Sequence, residues 1–256
     1  MLYIYPYSKH SESARLIANA MKCKRLKRES STVKDSESIT IINWGAASVP
    51  YSKARIINSP AAVNTARNKL STFRALETNR DIRIPTFTTD YNTAIGWMTD
   101  GVAVCSRAVL TGNSGEGLVI SSSREDIPRN SPLYTRYIPK TAEFRVHVIN
   151  GAVVRVQKKV LPRNTDRTNV NWQVRNHENG FIFQIASAND IPSPSILQQA
   201  VLATSHLGLD FAGVDVIWTN STQRPTILEL NTAPGVEGGT VDIYAEALQQ
   251  LVRRTE

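Results

Sequence analysis

Two apolar runs near the C-terminus, Phe211–Trp218 and Thr226–Leu230, are each broken by a carboxylate: Asp215 in VDVI and Glu229 in ILELN. A polar turn, Thr219–Pro225, joins them. An ionised carboxylate in an apolar strand is costly unless it is paired or binds a metal. Side chains alternate along a strand, so Glu229 and Asn231 share one face while Leu228 and Leu230 take the other. In an antiparallel hairpin Asp215 lies beside Glu229. Asp215, Glu229 and Asn231 then form an all-oxygen site suited to a hard cation. With so few protein ligands, Mg²⁺ completed by water and phosphate oxygens fits best. The alternative is a sheet hairpin carrying two salt-bridged acids.

At 256 residues the chain can bury a sizeable core in one to three subdomains. No apolar run approaches the ~20 residues of a membrane span. The start, MLYIYPYSKH, lacks the basic opening and long apolar centre of a signal peptide. Cys23 and Cys105 have no metal-type spacing, so a cytoplasmic setting without membrane attachment is expected. The net charge of +8 favours anionic partners: nucleotides, acidic peptides or nucleic acid. The densest basic run, Lys22–Arg28, follows a helix-like segment striped by Ala14, Ile17, Ala18 and Met21. It reads either as a solvated helix end that complements the dipole or as a patch for phosphate or an acidic substrate. No aromatic residue interleaves it, so a single-strand stacking platform is not indicated. A homodimer is compatible with the sequence, which does not fix the oligomeric state.

Residues 1–57 read as strand Leu2–Tyr5, helix Ser13–Met21 and strand Ile39–Asn43, a small α/β unit ending near Asn58-Ser59-Pro60. Residues 64–79 read as one helix, striped by Leu70, Phe73 and Leu76. Strands Val102–Arg107 and Leu118–Ser121 flank a glycine-rich loop, Thr111–Gly117. Glu143–Ile149 and Ala152–Lys159 flank Asn150-Gly151, a strong hairpin signal. A two-residue turn makes Arg145 face Val156 and Glu143 face Lys158. Glu143, Arg145, His147 and Lys158 then line one surface; a bulge puts Lys159 there instead. A helix over residues 194–207, with Ser193 as cap and Gly208 as stop, precedes the carboxylate hairpin, and helix Val241–Arg253 follows it. The expected fold class is α/β (α+β), in units 1–60, 61–133 and 134–256.

The hairpin resembles the metal-binding end of the ATP-grasp superfamily, and of its RimK-like carboxylate–amine (peptide) ligases most of all. That pattern is an Asp on one strand, then Glu-x-Asn with Pro-Gly close behind; Asp215, Glu229, Asn231 and Pro234-Gly235 match it. The resemblance implies two lobes clasping ATP, preceded by a small α/β N-terminal unit. It implies one or two Mg²⁺, with Mn²⁺ an alternative, held by Asp215, Glu229 and Asn231. Lys69 and Arg107 become phosphate-binding cations, Arg107 standing where the family has Lys. Gly112, Ser114, Gly115 and Gly117 become the loop that lets backbone N–H groups approach phosphate. Arg136, Tyr137 and Ile138 match the linker strand against adenine, with Arg136 where an acid often stands. Arg145, Lys158, Arg175 and Asn176 become the catalytic candidates, the first in an acid-x-Arg pair and the last two near the acyl phosphate.

The implied activity has two steps. A substrate carboxylate attacks the γ-phosphate, giving an acyl phosphate and ADP; an amine then displaces phosphate to form an amide. Amino acid, peptide, protein tail and polyamine all stand as acceptors. Some ATP-grasp proteins are kinases, so transfer to a hydroxyl is an alternative. A non-catalytic protein binding an anionic ligand or nucleic acid is another.

Overall fold

The computed structural model describes residues 1–28, 31–112, 115–168 and 170–254. It has three sheets, built in chain order. The first is parallel: β1 (Leu2–Pro6), β2 (Lys24–Arg25), β3 (Thr40–Trp44) and β4 (Arg55–Ile57), in the order β2-β1-β3-β4. Helix α1 (Glu12–Ala20) crosses from β1 to β2. Ser11 caps it by accepting from the Ala14 amide, and Ala14, Ile17 and Ala18 form its buried stripe. Lys22 then turns the chain with φ at +52°. The basic run is therefore a turn feeding an edge strand rather than a helix end.

The expected helix over 64–79 is two helices, α2 (Pro60–Arg67) and α3 (Lys69–Glu77). Asn68 separates them: its backbone is extended and its side chain accepts from the Ser71 amide. Asx side chains favour such caps over helix interiors. The break places Lys69 at the first position of α3, buried, where a continuous helix offers no such end. The second sheet is antiparallel: β5 (Phe87–Thr88), β6 (Val104–Arg107), β7 (Leu118–Ser121) and β8 (Leu133–Arg136), in the order β5-β8-β6-β7. Helix α4 (Tyr91–Thr99) covers it, burying only Ala94 and Trp97.

The third sheet forms the large lobe: β9 (Ala142–Ile149), β10 (Ala152–Val160), β11 (Ile182–Ile185), β12 (Phe211–Thr219) and β13 (Arg224–Asn231), in the order β11-β10-β9-β12-β13. Helix α5 (Ser195–His206) covers one face and α6 (Gly239–Arg254) part of the other. Strand alternation sorts the residues. Phe144, Val146, Val148, Val214 and Val216 meet Ile196, Ala200 and Ala203 of α5. Ile149 and Phe211 meet Tyr244 and Leu248 of α6. Burying a side chain such as Phe211 contributes roughly 1.5–3 kcal/mol. Beyond the reach of α6, this second face is the floor of a cleft.

Asn58 is one of the ties between the N-terminal unit and the large lobe, beside a shared apolar core. Asn58 adopts φ +60° and its Oδ1 accepts from the amides of Asp210 and Phe211 at 2.7 and 3.1 Å. Its Nδ2 donates to the Phe211 carbonyl at 2.9 Å. Trp44 stacks on Phe211 with ring centres 5.2 Å apart. Among the described residues, no helix is long and apolar enough to cross a membrane.

Candidate active site between the lobes

The cleft floor is a row of paired charges. Arg145 on β9 faces Asp215 on β12. Its Nε and Nη2 donate to Asp215 Oδ1 and Oδ2 at 2.7 and 2.8 Å. Asp215 is only 4% exposed. Burial pushes its pKa up, but the Arg145 charge and hydrogen bonds, helped by Lys159, outweigh that and hold the carboxyl below the usual range. Next along β9, the buried Glu143 pairs with Lys140 at 2.9 Å and Lys159 at 2.5 Å. Phe183 on β11 lies under both cations: Arg145 is 4.2 Å and Lys159 4.9 Å from its ring centre. Such cation–π contacts hold a charge in place at low desolvation cost.

The β9–β10 register differs from the simple hairpin expectation. Val153 faces Val148, but a bulge intervenes and Arg155 faces His147. From there Gln157 faces Arg145 and Lys158 faces Phe144. One extra residue turns every later side chain over. Lys158 therefore leaves the surface of Glu143 and Arg145, pairing with Asp190 at 3.4 Å, and Lys159 takes its place. Val156 likewise faces Val146, not Arg145.

A second bulge shapes the carboxylate hairpin. Asp215 faces Glu229, but Val216 faces Ile227, so Leu228 is the unpaired residue. Leu228 consequently lines the cleft beside Ile217 instead of joining the opposite face. The two carboxyl-bearing residues are direct cross-strand neighbours. Asn231 Nδ2 lies 3.3 Å from Glu229 Oε1, and Lys69 Nζ lies 3.4 Å from Glu229 Oε2. Among the described residues, no three His, Cys, Asp or Glu side chains cluster as a metal site; this set is two acids and an amide. Two apposed carboxylates beside a carboxamide oxygen fit a hard divalent cation. Glu229 and Asn231 line a cavity, whereas both Asp215 oxygens are already engaged by Arg145.

Two cavities open along β13, the larger lined by Glu229 and the smaller by Leu228. The smaller, of about 80 Å³, lies between the lobes and is lined by Cys105, Arg107, Arg136, Tyr137, Ile138 and Leu228 among others. Burial lowers the Arg107 pKa, and the Glu229 charge partly offsets this. Arg136 also pairs with Asp100 at 2.9 Å and covers the Trp97 ring at 5.6 Å. The larger, of about 280 Å³, is lined by Lys69, Gly112, Glu229 and Asn231 and reaches Tyr7 and Gly45 of the N-terminal unit. Lys69 Nζ donates to the Gly112 carbonyl at 2.8 Å, tying α3 to the glycine loop. Gly115 and Gly117 take φ of +84° and +65°, which L side chains rarely adopt. Ser114 lies outside the described residues. Arg175 donates to the carbonyls of Lys140 and Thr141 at 3.0 and 3.4 Å, and Asn176 Oδ1 accepts from the Asn179 amide at 2.9 Å. A Cβ on Gly115 would stand 3.7 Å from Asn176 Nδ2, so the loop tip and this segment meet over the cleft.

No family model matches the chain. It is 28% identical over 198 residues to a probable alpha-L-glutamate ligase of Aeromonas salmonicida, covering 71% of this chain and 61% of that protein. A second, from Methanococcoides burtonii, is 27% identical, covering 71% and 60%. The chain thus spans about three fifths of the length of these relatives. Among solved structures it is similar to the ATP-grasp ligase PsnB complexed with minimal precursor, Mg and ADP, with a TM-score of 0.70 at 13% identity, covering 100% of this chain and 97% of that one. A RimK domain ATP-grasp protein from Sphaerobacter thermophilus gives a TM-score of 0.62 at 13% identity, covering 96% and 98%.

The chain has the ATP-grasp fold.

Four residues of this ATP-grasp cleft carried no role in the sequence reading: Phe183, Lys140, Leu228 and Tyr7. Lys140 stands three residues before Glu143, a spacing that hints at a pair without a helix to enforce it. Leu228 enters only through its bulge, which has no glycine or proline to announce it. Phe183 sits in the short apolar run FIF of an edge strand, where nothing local reveals the cations above it.

Proposed function

We propose that this protein is an ATP-dependent carboxylate–amine ligase that proceeds through an acyl phosphate. The observation that carries the reading is the convergence at Glu229. Lys69 pairs with it from α3, Arg107 feels its charge from β6, Asp215 faces it across the hairpin with Arg145 in hand, the larger cavity opens beside it and the smaller one opens beside its neighbour Leu228. The smaller cavity suits adenine: Leu228 and Ile217 provide an apolar wall, and Tyr137 and Ile138 provide the linker. Lys69 and Arg107 are placed to neutralise phosphate oxygens. Glu229 and Asn231 would hold Mg²⁺, with Asp215 completing the set. When bound, the metal would offset charge on the transferring phosphoryl group. Arg145, fixed between Asp215 and Phe183, offers a pre-positioned cation that needs no reorganisation during reaction. Arg175 and Asn176 close the cleft from above, and Lys159 is the lysine that shares the floor with Arg145. The relatives named alpha-L-glutamate ligases and the ATP-grasp ligase PsnB support carbon–nitrogen bond formation over transfer to a hydroxyl.

The test incubates the chain with Mg·ATP, a panel of amino acids and peptides, and ¹⁸O-labelled carboxylates. Magnesium-dependent ADP release, ¹⁸O transfer into phosphate and an amide product by mass spectrometry are expected. A phosphorylated product without an amide would convert the reading to a kinase. No magnesium-dependent ATP binding would remove it.

A further inference from the structure

The cleft floor continues past both cavities onto β10. At the centre of this stretch is Gln157, which faces Arg145 of β9 on one side and Ile185 of β11 on the other. Directly opposite residues share a face. Ile185 is 55% exposed, so the floor is open to solvent here. Cations surround Gln157: Arg145 opposite, and Arg155 and Lys159 two residues away along its own strand. Asp215 engages Arg145 through Nε and Nη2, and Glu143 engages Lys159. Among the described residues no carboxylate pairs with Arg155, whose Nη2 lies 3.5 Å from the Gly239 carbonyl.

The direction of the Gln157 carboxamide is set from the core. Tyr244 of α6 is fully buried, edge-on to Trp44 with ring centres 5.8 Å apart. Among the described residues its hydroxyl has a single hydrogen-bond partner, Nδ1 of the equally buried His147, at 2.6 Å. A buried hydroxyl that leaves its hydrogen unpaired costs free energy, so Tyr244 donates and Nδ1 accepts. The neutral ring then carries its own hydrogen on Nε2. That hydrogen meets Gln157 Oε1, 2.8 Å away. With its oxygen taken, half-buried Gln157 turns its N–H2 group away from His147, and among the described residues nothing accepts from it. A held donor among three cations suits an anionic oxygen.

We infer that Gln157 is a fixed hydrogen-bond donor to the carboxylate that receives the phosphoryl group, aimed by Tyr244 through His147. The relay stands on its own geometry; that the carboxylate is a phosphoryl acceptor rests on the ligase reading above. Position selects a carboxylate over the nucleotide phosphates. Neighbouring strands lie about 4.8 Å apart, so Gln157 stands two strands, about 10 Å, from Asp215 and three, about 14 Å, from Glu229. Arg145 lies between, so phosphates held by a metal at those acids reach Arg145 first. Charge excludes an ammonium group, which meets only donors and cations at Gln157. Tyr244 and His147 act through Gln157 and are positioning residues.

The test adds Mg·AMPPNP to the ¹⁵N-labelled full chain and then titrates acetate or methylammonium. Acetate should move the Gln157 N–H2 resonances, and Mg·AMPPNP alone and methylammonium should not. The His147 ¹⁵N shifts should be those of a ring with its hydrogen on Nε2. Acetate affinity should fall about tenfold in Gln157→Met, the scale of one hydrogen bond to a charged group. Gln157→Glu keeps an oxygen for His147 but replaces the donor with a negative charge, and should lower the affinity further. Tyr244→Phe frees the ring to change tautomer and should cost roughly threefold. The double variant Tyr244→Phe/Gln157→Met should bind acetate as Gln157→Met does, because both changes act through one donor. Gln157 resonances unmoved by acetate, or moved by Mg·AMPPNP alone or methylammonium, would overturn the proposal. So would a hydrogen on Nδ1, wild-type affinity in Gln157→Glu, or losses that multiply in the double variant. Failure of Mg·AMPPNP to bind removes the ligase reading, whereas its binding with Gln157 silent to acetate removes only the Gln157 role.

Discussion

Arg145 and Asp215 grip each other through two parallel hydrogen bonds, 2.7 and 2.8 Å long, across adjacent antiparallel strands. The pair is nearly dry, with 15% and 6% of the two side chains exposed. Removing one partner of a buried pair leaves an uncompensated charge and costs roughly 3–5 kcal/mol. Arg145→Ala should therefore lower both stability and ADP release. Arg145→Ala combined with Asp215→Ala should recover much of the stability and none of the turnover. Urea denaturation and ADP-release assays on both variants check this. Recovered turnover in the double variant would remove Arg145 and Asp215 from the chemistry.

Gly213 explains why that pair fits. It faces both Asn231 and His147, and a Cβ there would stand 2.9 Å from the Cβ of Pro234 and 3.4 Å from the Cδ of Arg145. Gly213→Ala must push the Pro234 loop or the arginine aside. Overpacking of this kind typically costs about 1–3 kcal/mol. Turnover should fall by more than the stability loss explains, because the displaced atoms belong to Arg145. Equal thermal midpoints and equal ADP release in variant and wild type would show that the loop yields freely.

Two adjacent lysines should behave differently. Lys159→Met should sharply reduce ADP release, since it strips Glu143 of a partner at 2.5 Å and removes a cation from the cleft floor. Lys158→Met should stay near wild type: its partner Asp190 is 3.4 Å away and both side chains are a third or more exposed, where ion pairs contribute at most about 1 kcal/mol. The reverse order of effects would mean that the bulge in β10 is not formed in solution.

This pair of lysines marks the limit of what the sequence reveals. Asn150-Gly151 announces the hairpin, and its first two facing pairs follow from the turn. The bulge after Val153 depends on how β10 twists against β9 and β11, and no residue type there encodes it. The same holds at Leu228. Asp215, Glu229 and Asn231 were legible because carboxylates are conspicuous in apolar strands. Lys69 was legible by its pattern, but the helix break at Asn68 that buries it was not, since Asn is tolerated within helices as well as at their caps. Helix α4 was missed because it buries only Ala94 and Trp97, too few for a periodic stripe. Phe183 was missed because cation–π partners leave no trace along the chain.

Glu229→Gln tests the metal reading. The amide keeps the shape, and it keeps the contact with Asn231, but it loses the charge that faces Lys69 and the larger cavity. A folded protein with ADP release lowered about 10²-fold or more, and with a raised magnesium requirement, is expected. Turnover at the wild-type level and unchanged magnesium dependence would remove Glu229 from the metal set.

His147 makes the fold acid-sensitive in a defined window. It is fully buried between β9 and α6, its Nδ1 2.6 Å from the Tyr244 hydroxyl and its Nε2 2.8 Å from Gln157 Oε1. The Gln157 oxygen only accepts, so Nε2 carries the hydrogen and Nδ1 accepts from Tyr244. Protonating Nδ1 would force the Tyr244 hydroxyl to turn from donor to acceptor and put a charge in the core. Burial accordingly pushes the His147 pKa down from 6.5 to about 4. The unfolded chain takes up this proton near pH 6.5 while the folded chain does not until about pH 4. Stability from the neutral histidine is therefore complete above pH 6.5 and drains away as the pH falls toward 4, by roughly 3 kcal/mol in all. Asp215, held below its ordinary 3.8, titrates beneath that window and leaves the histidine signal separable. Urea midpoints should fall between pH 7 and pH 5 in the wild type and change less in His147→Gln. Because that variant disturbs the Tyr244 contact, the imidazole itself provides the second measurement. Its ¹⁵N shifts should stay those of the neutral Nε2–H form at pH 5.5, and a charged ring at that pH would disprove the account.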